Sequence, residues 1–211
     1  MPKSTEITIP VPNGPDGAGM PATLVRPDSP MGAGIVLVQE IFGRTAYMRK
    51  RAMDLAENGY TVVLPQVYWR IGIDDIPEDS PDALMVAVGH SQAVDWDQAV
   101  ADIRTAITWL RADPESEHAV ALVGFCFGGG LAYAALQGVR GPEHADALVS
   151  YYGSALPQLV DAGLEVDVPS LHHFGTADAY IPLETVATIR SWVTRGDNAV
   201  EFVLHEGAGH A

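Results

Sequence analysis

One short segment, residues 121–130, constrains the fold more than any other part of the chain. An apolar run leads into Gly124-Phe125-Cys126-Phe127-Gly128, and small residues typical of a closely packed helix follow. This Gly-x-Cys-x-Gly spacing predicts a sharp, strained turn from a strand into a helix, with the central side chain raised above the sheet. Both glycines are needed because a Cβ there would clash where strand and helix approach each other. The segment predicts Cys126, the only cysteine, as a nucleophile; the alternative is that it packs as a small apolar residue.

The rest of the chain alternates between strand-like and helix-like patterns. Residues 6–11 and 20–26 flank a turn-rich stretch and predict an N-terminal hairpin. Further strands are predicted at residues 34–40, 60–64, 120–124, 147–152, 170–174 and 199–205, and helices at 46–58, 91–112, 127–137 and 182–195. The polar, acidic residues 71–81 indicate a loop near the mouth of a pocket. This alternation predicts an α/β fold with a mostly parallel, doubly wound sheet and an antiparallel hairpin at the N-terminus.

Composition narrows the classes of partner. Twelve basic against 27 acidic residues give a net charge of −15, which disfavours nucleic acid and anionic membranes as partners. A single cysteine cannot form an internal disulfide, which favours a reducing cytoplasm. The N-terminus lacks the apolar core of a signal peptide, and no apolar run is long enough to span a bilayer. We expect one cytoplasmic domain over residues 1–211.

A nucleophile on such a turn needs a base, and the base needs an acid to orient it. Asp178 lies in the loop after a predicted strand, where open α/β sheets bind their ligands. The alternative role for Asp178 is to cap a turn or the following helix. Asp161 and Asp167 are competing acids, but neither directly follows a strand. Asp178 is therefore the predicted orienting acid.

Two histidines near the C-terminus compete for the role of base. His205 falls at the end of the last predicted strand, whereas His210 lies beyond it in a glycine-rich loop that can fold back over the nucleophile. His210 is the predicted base. His172 and His173 lie inside a predicted strand and are interpreted as packed or hydrogen-bonded core residues. The remaining histidines are interpreted as surface or capping groups: His90, His118 and His144. No set of His, Cys, Asp and Glu residues in the sequence has the spacing of metal ligands, so we predict no metal and no cofactor.

Four motifs in this order resemble the dienelactone hydrolase family, the carboxymethylenebutenolidases of the α/β-hydrolase fold. They are Gln39-Glu40-Ile41-Phe42-Gly43, Gly124-Phe125-Cys126-Phe127-Gly128-Gly129, Gly175-Thr176-Ala177-Asp178 and Gly207-Ala208-Gly209-His210. The resemblance extends over nearly the whole chain. It implies that Cys126 is the nucleophile, His210 the base and Asp178 the residue that orients it.

Glu40 ends a wholly apolar predicted strand, where a carboxylate is costly to bury unless it is paired or protonated. It could simply cap or bond the following loop. The resemblance implies instead that this glutamate contacts the thiol of Cys126. The like charge would disfavour the thiolate and leave the resting enzyme unreactive. Substrate would then displace Glu40 and let the thiolate pair with His210.

The resemblance also implies acyl transfer from a lactone or activated ester. Cys126 would attack the carbonyl, with the N–H groups of Ile41 and Phe127 as the oxyanion hole, and His210 would then activate the water that releases the acid. A thiolate attacks activated esters and enol lactones well because their leaving groups are stable. A protein of this fold that binds a small molecule without turnover is the alternative from another class.

The substrate's charge is a point of departure from the family. Members that cleave dienelactone hold its carboxylate with two arginines, one between Tyr68 and residue 91 and one after the catalytic histidine. Residues 71–79 carry acids and no arginine, and no position follows Ala211. Tyr68 and Arg70 are then the nearby candidates for substrate binding. An esterase or thioesterase acting on a substrate without a carboxylate therefore stays open.

The sequence stops one residue after His210, without the covering helix that usually follows the last strand. We expect exposed apolar surface beside residues 199–205 and a histidine loop without an anchor on its far side, so that His210 frays like most chain ends. A longer natural chain or a neighbouring subunit would cover this flank, and the expected state is a monomer or a weak homodimer.

Overall fold

The structure, a computed structural model, describes residues 1–73, 75–76 and 80–211. The described strands are β1 (Lys3–Ile9), β2 (Met20–Arg26), β3 (Ala33–Val38), β4 (Thr61–Pro65), β5 (Ala119–Phe125), β6 (Ala147–Tyr151), β7 (Ser170–Gly175) and β8 (Val200–His205). The described helices are α1 (Ala46–Glu57), α2 (Ala83–Ala93), α3 (Trp96–Arg111), α4 (Phe127–Ala135), α5 (Leu156–Asp161) and α6 (Leu183–Val193). Short 3₁₀ turns occur at Pro15–Gly17, Trp69–Ile71 and Gly141–Glu143.

All the described strands join one sheet, in the order β1-β2-β4-β3-β5-β6-β7-β8. The first hairpin pairs Ile9 with Met20 and is antiparallel, and β2 also runs antiparallel to β4. From β4 through β3 to β8 every pairing is parallel. The predicted α/β fold, with its parallel sheet and its N-terminal antiparallel hairpin, is confirmed. The carboxyl ends of β3, β5, β6 and β7 consequently meet at one edge, where the candidate site lies.

Helices cover the two faces of the sheet unequally. On one face α1 packs Met48, Ala52 and Ala56 against strand residues such as Leu37 and Leu64. On the other face the buried side chains of α3, α4, α5 and α6 join the larger core cluster. Strand β8, at the edge of the sheet, carries exposed side chains, among them Leu204 and His205.

One predicted helix is wrong. Residues 91–112 do not form a single helix, because the chain is extended at Val94 with ψ near 130°. Asp95 then starts α3 as its N-cap, and its carboxylate accepts a hydrogen bond from the Gln98 amide at 3.1 Å. Helix α2 before this break and the short α5 were not predicted. Residues 74 and 77–79 of the predicted loop lie outside the described residues; Asp75 accepts a bond from the Arg44 amide at 2.7 Å.

Candidate active site

Cys126 occupies a strained turn between β5 and α4. Its φ is +52°, in the left-handed region that non-glycine residues rarely adopt. The turn is held by the Cys126 amide, which donates to Tyr151 O at 3.0 Å, and by Cys126 O, which accepts from the Gly129 and Ser154 amides at 3.0 Å. A Cβ at Gly124 would overlap the Gly128 backbone, and one at Gly128 would overlap Gln39. Both glycines are required by close backbone approach, as the spacing predicts.

The structure brings Cys126, His210 and Asp178 into one hydrogen-bonded row. Nε2 of His210 lies 3.1 Å from the Cys126 Sγ, and its Nδ1 lies 2.8 Å from Oδ2 of Asp178. The Asp178 side chain is fully buried, and its Oδ1 accepts bonds from the amides of Tyr180 and Ile181 at 2.8 and 3.0 Å. The carboxylate accepts from Nδ1–H, which leaves Nε2 free to accept the thiol proton.

The loop that carries His210 is tied to the end of β7. Gly207 donates to the Thr176 hydroxyl at 2.8 Å, Ala177 donates to Ala208 O at 2.9 Å, and Thr176 donates to His205 O at 3.0 Å. A Cβ at Gly175 would overlap this loop. The loop is therefore anchored on its β7 side, and the absence of an anchor on its far side stays a prediction.

Burial dominates the electrostatics of the thiol. It raises the pKa of Cys126 to about 11; hydrogen bonds from the Ser154 side chain and the Phe127 amide lower that pKa, and the charges of Glu40 and Asp178 raise it. The like-charge effect of Glu40 agrees in sign with the expectation from sequence. The thiol nevertheless lies against His210, the pairing expected only after substrate displaces Glu40. Glu40 lines the cavity that opens above the thiol, and its backbone carbonyl accepts a hydrogen bond from the Gly43 amide at 3.2 Å.

A cavity of about 530 Å³ opens above the thiol. Its apolar and aromatic lining includes Ile41, Phe42, Leu84, Val88, Phe127 and Tyr152. The rings of Tyr152 and Tyr180 flank the His210 imidazole, with centroids 4.8 and 5.0 Å away. Ile41 and Phe127, the predicted oxyanion-hole residues, thus lie on the cavity wall with the thiol. The amide of Phe127 also stands at the N-terminus of α4, where the helix dipole favours negative charge.

The structure places Tyr68 and Arg70, the predicted substrate-binding residues, outside the lining of this cavity. Tyr68 is fully buried, and its hydroxyl donates to Ile41 O at 2.7 Å, beneath the cavity wall. Arg70 makes a two-pronged ion pair with the buried Asp102, through Nε and Nη2 at 2.8 Å each, and its guanidinium lies over the Trp69 ring. Asp102 neutralises the Arg70 guanidinium, which does not line the cavity. Tyr68 instead supports the peptide next to Ile41.

The other candidate residues lie apart from the thiol. Asp167 pairs with Arg140 and with Nε2 of His144, and Asp161 ends α5. His205 lies 3.0 Å from His173, through Nε2 and Nδ1 respectively. His172 is fully buried, and burial lowers its pKa to about 4, as for a packed core residue. His173 is only half-buried, so its interpretation as a core residue holds in part.

Within residues 1–73, 75–76 and 80–211, no cluster of three or more His, Cys, Asp or Glu side chains has the arrangement of a metal site. No helix in that part of the chain combines the length and apolar composition needed to cross a membrane.

Sequence reasoning missed several residues of the cavity wall. Leu84 and Val88 come from the unpredicted α2, Tyr152 and Ser154 follow β6, and Tyr180 follows Asp178. For Tyr180 the sequence offers one signal, its position two residues after Asp178. The rest depend on where strand ends and α2 meet in space.

Comparisons with known proteins identify the family of this chain. The model of the dienelactone hydrolase family matches residues 20–211. A carboxymethylenebutenolidase from Pseudomonas putida is 34% identical over 201 residues, covering 93% of this chain and 81% of the relative. Carboxymethylenebutenolidase 1 from Cupriavidus pinatubonensis is 32% identical over 187 residues, covering 86% of this chain and 76% of the relative.

Solved structures show the same fold. A Klebsiella pneumoniae protein solved as a candidate dienelactone hydrolase superposes with a TM-score of 0.80 at 28% identity, covering 100% of this chain and 88% of that one. The dienelactone hydrolase of Anabaena variabilis superposes with a TM-score of 0.70 at 20% identity, covering 99% and 88%. The second, more distant likeness concerns the fold alone.

Proposed function

The chain belongs to the dienelactone hydrolase family and is a hydrolase of ester or lactone bonds, and on that premise we propose a cysteine mechanism that proceeds through an acyl-enzyme. The substrate is a lactone or an activated carboxylic ester. The observation that carries the proposal is the row formed by the Cys126 thiol, the His210 imidazole and the Asp178 carboxylate, with contacts of 3.1 and 2.8 Å. Nucleophilic catalysis requires this order of groups.

In the first half-reaction, Nε2 of His210 takes the proton of the Cys126 thiol as Sγ attacks the carbonyl carbon. Burial raises the pKa of this thiol to about 11, which favours transfer of its proton to the imidazole as the sulfur attacks. The new C–S bond turns the carbonyl oxygen into an oxyanion. When the C–O bond breaks, His210 returns its proton to the leaving oxygen, and a thioester on Cys126 remains. In a lactone the leaving hydroxyl stays attached to the acyl group.

In the second half-reaction, His210 takes a proton from water, and the hydroxide adds to the thioester carbonyl. The C–S bond breaks, the carboxylic acid leaves, and the sulfur recovers its proton from the imidazolium. Asp178 stabilises that imidazolium and keeps the ring in the required tautomer. Its two backbone amide donors fix the carboxylate, so little reorganisation is needed during the reaction.

The amides of Ile41 and Phe127 are the proposed oxyanion-hole donors. Both residues line the cavity beside Cys126, and the Phe127 amide already bonds the sulfur. The Tyr68 hydroxyl donates to Ile41 O and so restrains the Ile41–Phe42 peptide, which follows the first of these donors. Glu40 would act on the thiol through its like charge, and we assign it a part in thiol activation. Losing one oxyanion donor typically costs about 100- to 1,000-fold in rate.

The nucleophile is tested by hydrolysis of a chromogenic ester. The wild-type chain should turn over para-nitrophenyl butyrate, Cys126→Ala should lose this activity with unchanged circular dichroism, and Cys126→Ser should retain a trace. Quenched mass spectrometry should find the acyl group on Cys126, the only thiol. Met85→Ser, on an exposed part of α2, is the matched control and should keep full rate. Full activity in Cys126→Ala would refute the assignment, as would a wild-type chain that binds esters without hydrolysing them.

A further inference from the structure

Helix α2 reverses the usual amphipathic pattern. It buries the small side chains of Ala83 and Ala87, while Leu84, Met85 and Val88 are 48%, 69% and 40% exposed. Large apolar side chains turned to water mark a binding surface more often than chance would place them there. Here the surface has a definite neighbour, because Leu84, Val88 and Ser91 line the same cavity as Cys126. Their spacing of four and three residues puts them on one helix face.

The cavity lining is also unsuited to an anion. Among its described residues no lysine or arginine occurs, and its carboxylate, Glu40, acts electrostatically on the thiol. Arg70, the nearby cation, is satisfied by Asp102. A substrate carboxylate held here would lose water without gaining a counterion, and it would face Glu40 and the developing oxyanion. The chain's net charge of −15 adds long-range repulsion.

We propose that this site selects uncharged esters or lactones with an apolar group, which lies against Leu84 and Val88 of α2, and discriminates against substrates that carry a carboxylate. The inference rests on the proposed function and specifies its substrate class. Leu84 and Val88 act as specificity-determining residues, and Met85, one residue away but outside the cavity, does not.

Charge selectivity is measured with two para-nitrophenyl esters of similar acyl length, the neutral hexanoate and the anionic hemiglutarate. The wild-type kcat/KM should favour the neutral ester by about 100-fold, since a desolvated charge beside a like charge is strongly disfavoured. Leu84→Arg should shrink this ratio by about tenfold or more. Met85→Arg makes the same change of net charge on the same helix and should leave the ratio within about twofold.

Apolar selectivity is measured with the acetate, butyrate and hexanoate. The wild-type kcat/KM should rise about two- to fourfold per methylene group that contacts the wall. Leu84→Ser or Val88→Thr should flatten this rise, and Met85→Ser should preserve it. Thermal unfolding checks that each variant is folded, and Val88→Arg replaces Leu84→Arg in the charge test if the latter is not.

The outcomes separate the two proposals. Turnover of all esters without regard to charge, or equal effects at Leu84 and Met85, overturns the substrate class and leaves the cysteine mechanism intact. Absence of any ester turnover overturns the proposed function. In that case calorimetric binding of the same neutral and anionic esters to Cys126→Ala still decides the preference: tighter binding of the neutral ester supports it, and equal binding refutes it.

Discussion

Two histidine clusters lie at the carboxyl edge of the sheet, and their partners differ. In the first, His210 has a buried carboxylate on one ring nitrogen and a thiol on the other. In the second, His205 and His173 have their nitrogens 3.0 Å apart. Rings stack from Phe125 through Tyr151 to His173, with centroids 4.6 and 4.4 Å apart.

The difference lies in what each environment does to a proton. In the proposed mechanism, the Asp178 carboxylate bonded to His210 stabilises the imidazolium that forms when this ring accepts the thiol proton. In the second cluster, burial and then the proximity of His205 lower the pKa of His173, because each imidazolium would repel the other. Whether a histidine can act as a base therefore depends on its partners. His210 and His173 lie near the same edge of the sheet, but the groups around them differ.

The largest expected effect is that of His210→Ala. Removing the base should lower kcat/KM for para-nitrophenyl butyrate by about 10⁴-fold or more, because neither half-reaction has another proton acceptor. The measurement is steady-state hydrolysis across pH, with circular dichroism as the check on folding. A loss of less than about tenfold would remove the distinction between the clusters.

Asp178→Asn should have the second largest effect and lower kcat/KM by about 10²- to 10⁴-fold. The amide cannot stabilise the imidazolium, and it favours the wrong tautomer of His210. Most of the loss should appear in kcat. Asp167→Asn is the control at a surface ion pair and should stay near the wild-type rate. Equal losses in both variants would indicate general destabilisation.

Glu40→Gln tests the electrostatic side of the first cluster. Alkylation of the wild-type thiol by iodoacetamide should be slow at neutral pH and should rise about tenfold per pH unit toward a pKa of about 11. Removing the neighbouring negative charge stabilises the thiolate, so the variant's profile should shift to lower pH. Turnover should fall as well, because we assign Glu40 a part in thiol activation. Unchanged turnover and an unshifted profile would reduce Glu40 to a structural residue.

His205→Ala should have the smallest effect, less than about threefold on kcat/KM, because this ring contacts His173 and lies outside the thiol's row. The His205 carbonyl holds Thr176, and the substitution leaves that backbone bond in place. The comparison with His210→Ala uses one assay. If His205→Ala is the more severe variant, the wrong histidine has been chosen.

Local sequence patterns predicted most of the strands and the three residues that meet at the candidate site. The glycines around Cys126 predicted the strained turn, because a Cβ at either position would overlap backbone. The apolar runs predicted the parallel strands, and loops after parallel strands meet at one edge. That is why Asp178 and His210, 32 residues apart, could be placed beside Cys126 in advance. Prediction failed at residues 91–112, where a single Asp95 cap outweighed an apolar pattern.

The sequence by itself determined the α/β order of elements, the elbow and the three residues gathered at it, since each follows from spacing or from its place after a strand. Only the tertiary structure decided which cations remain available and what forms the cavity wall. Arg70 is removed from the site by Asp102, 32 residues away, and Leu84 and Val88 reach the thiol's cavity because α2 buries alanines. Ion pairing and packing between distant segments depend on distances in space, which no local pattern encodes.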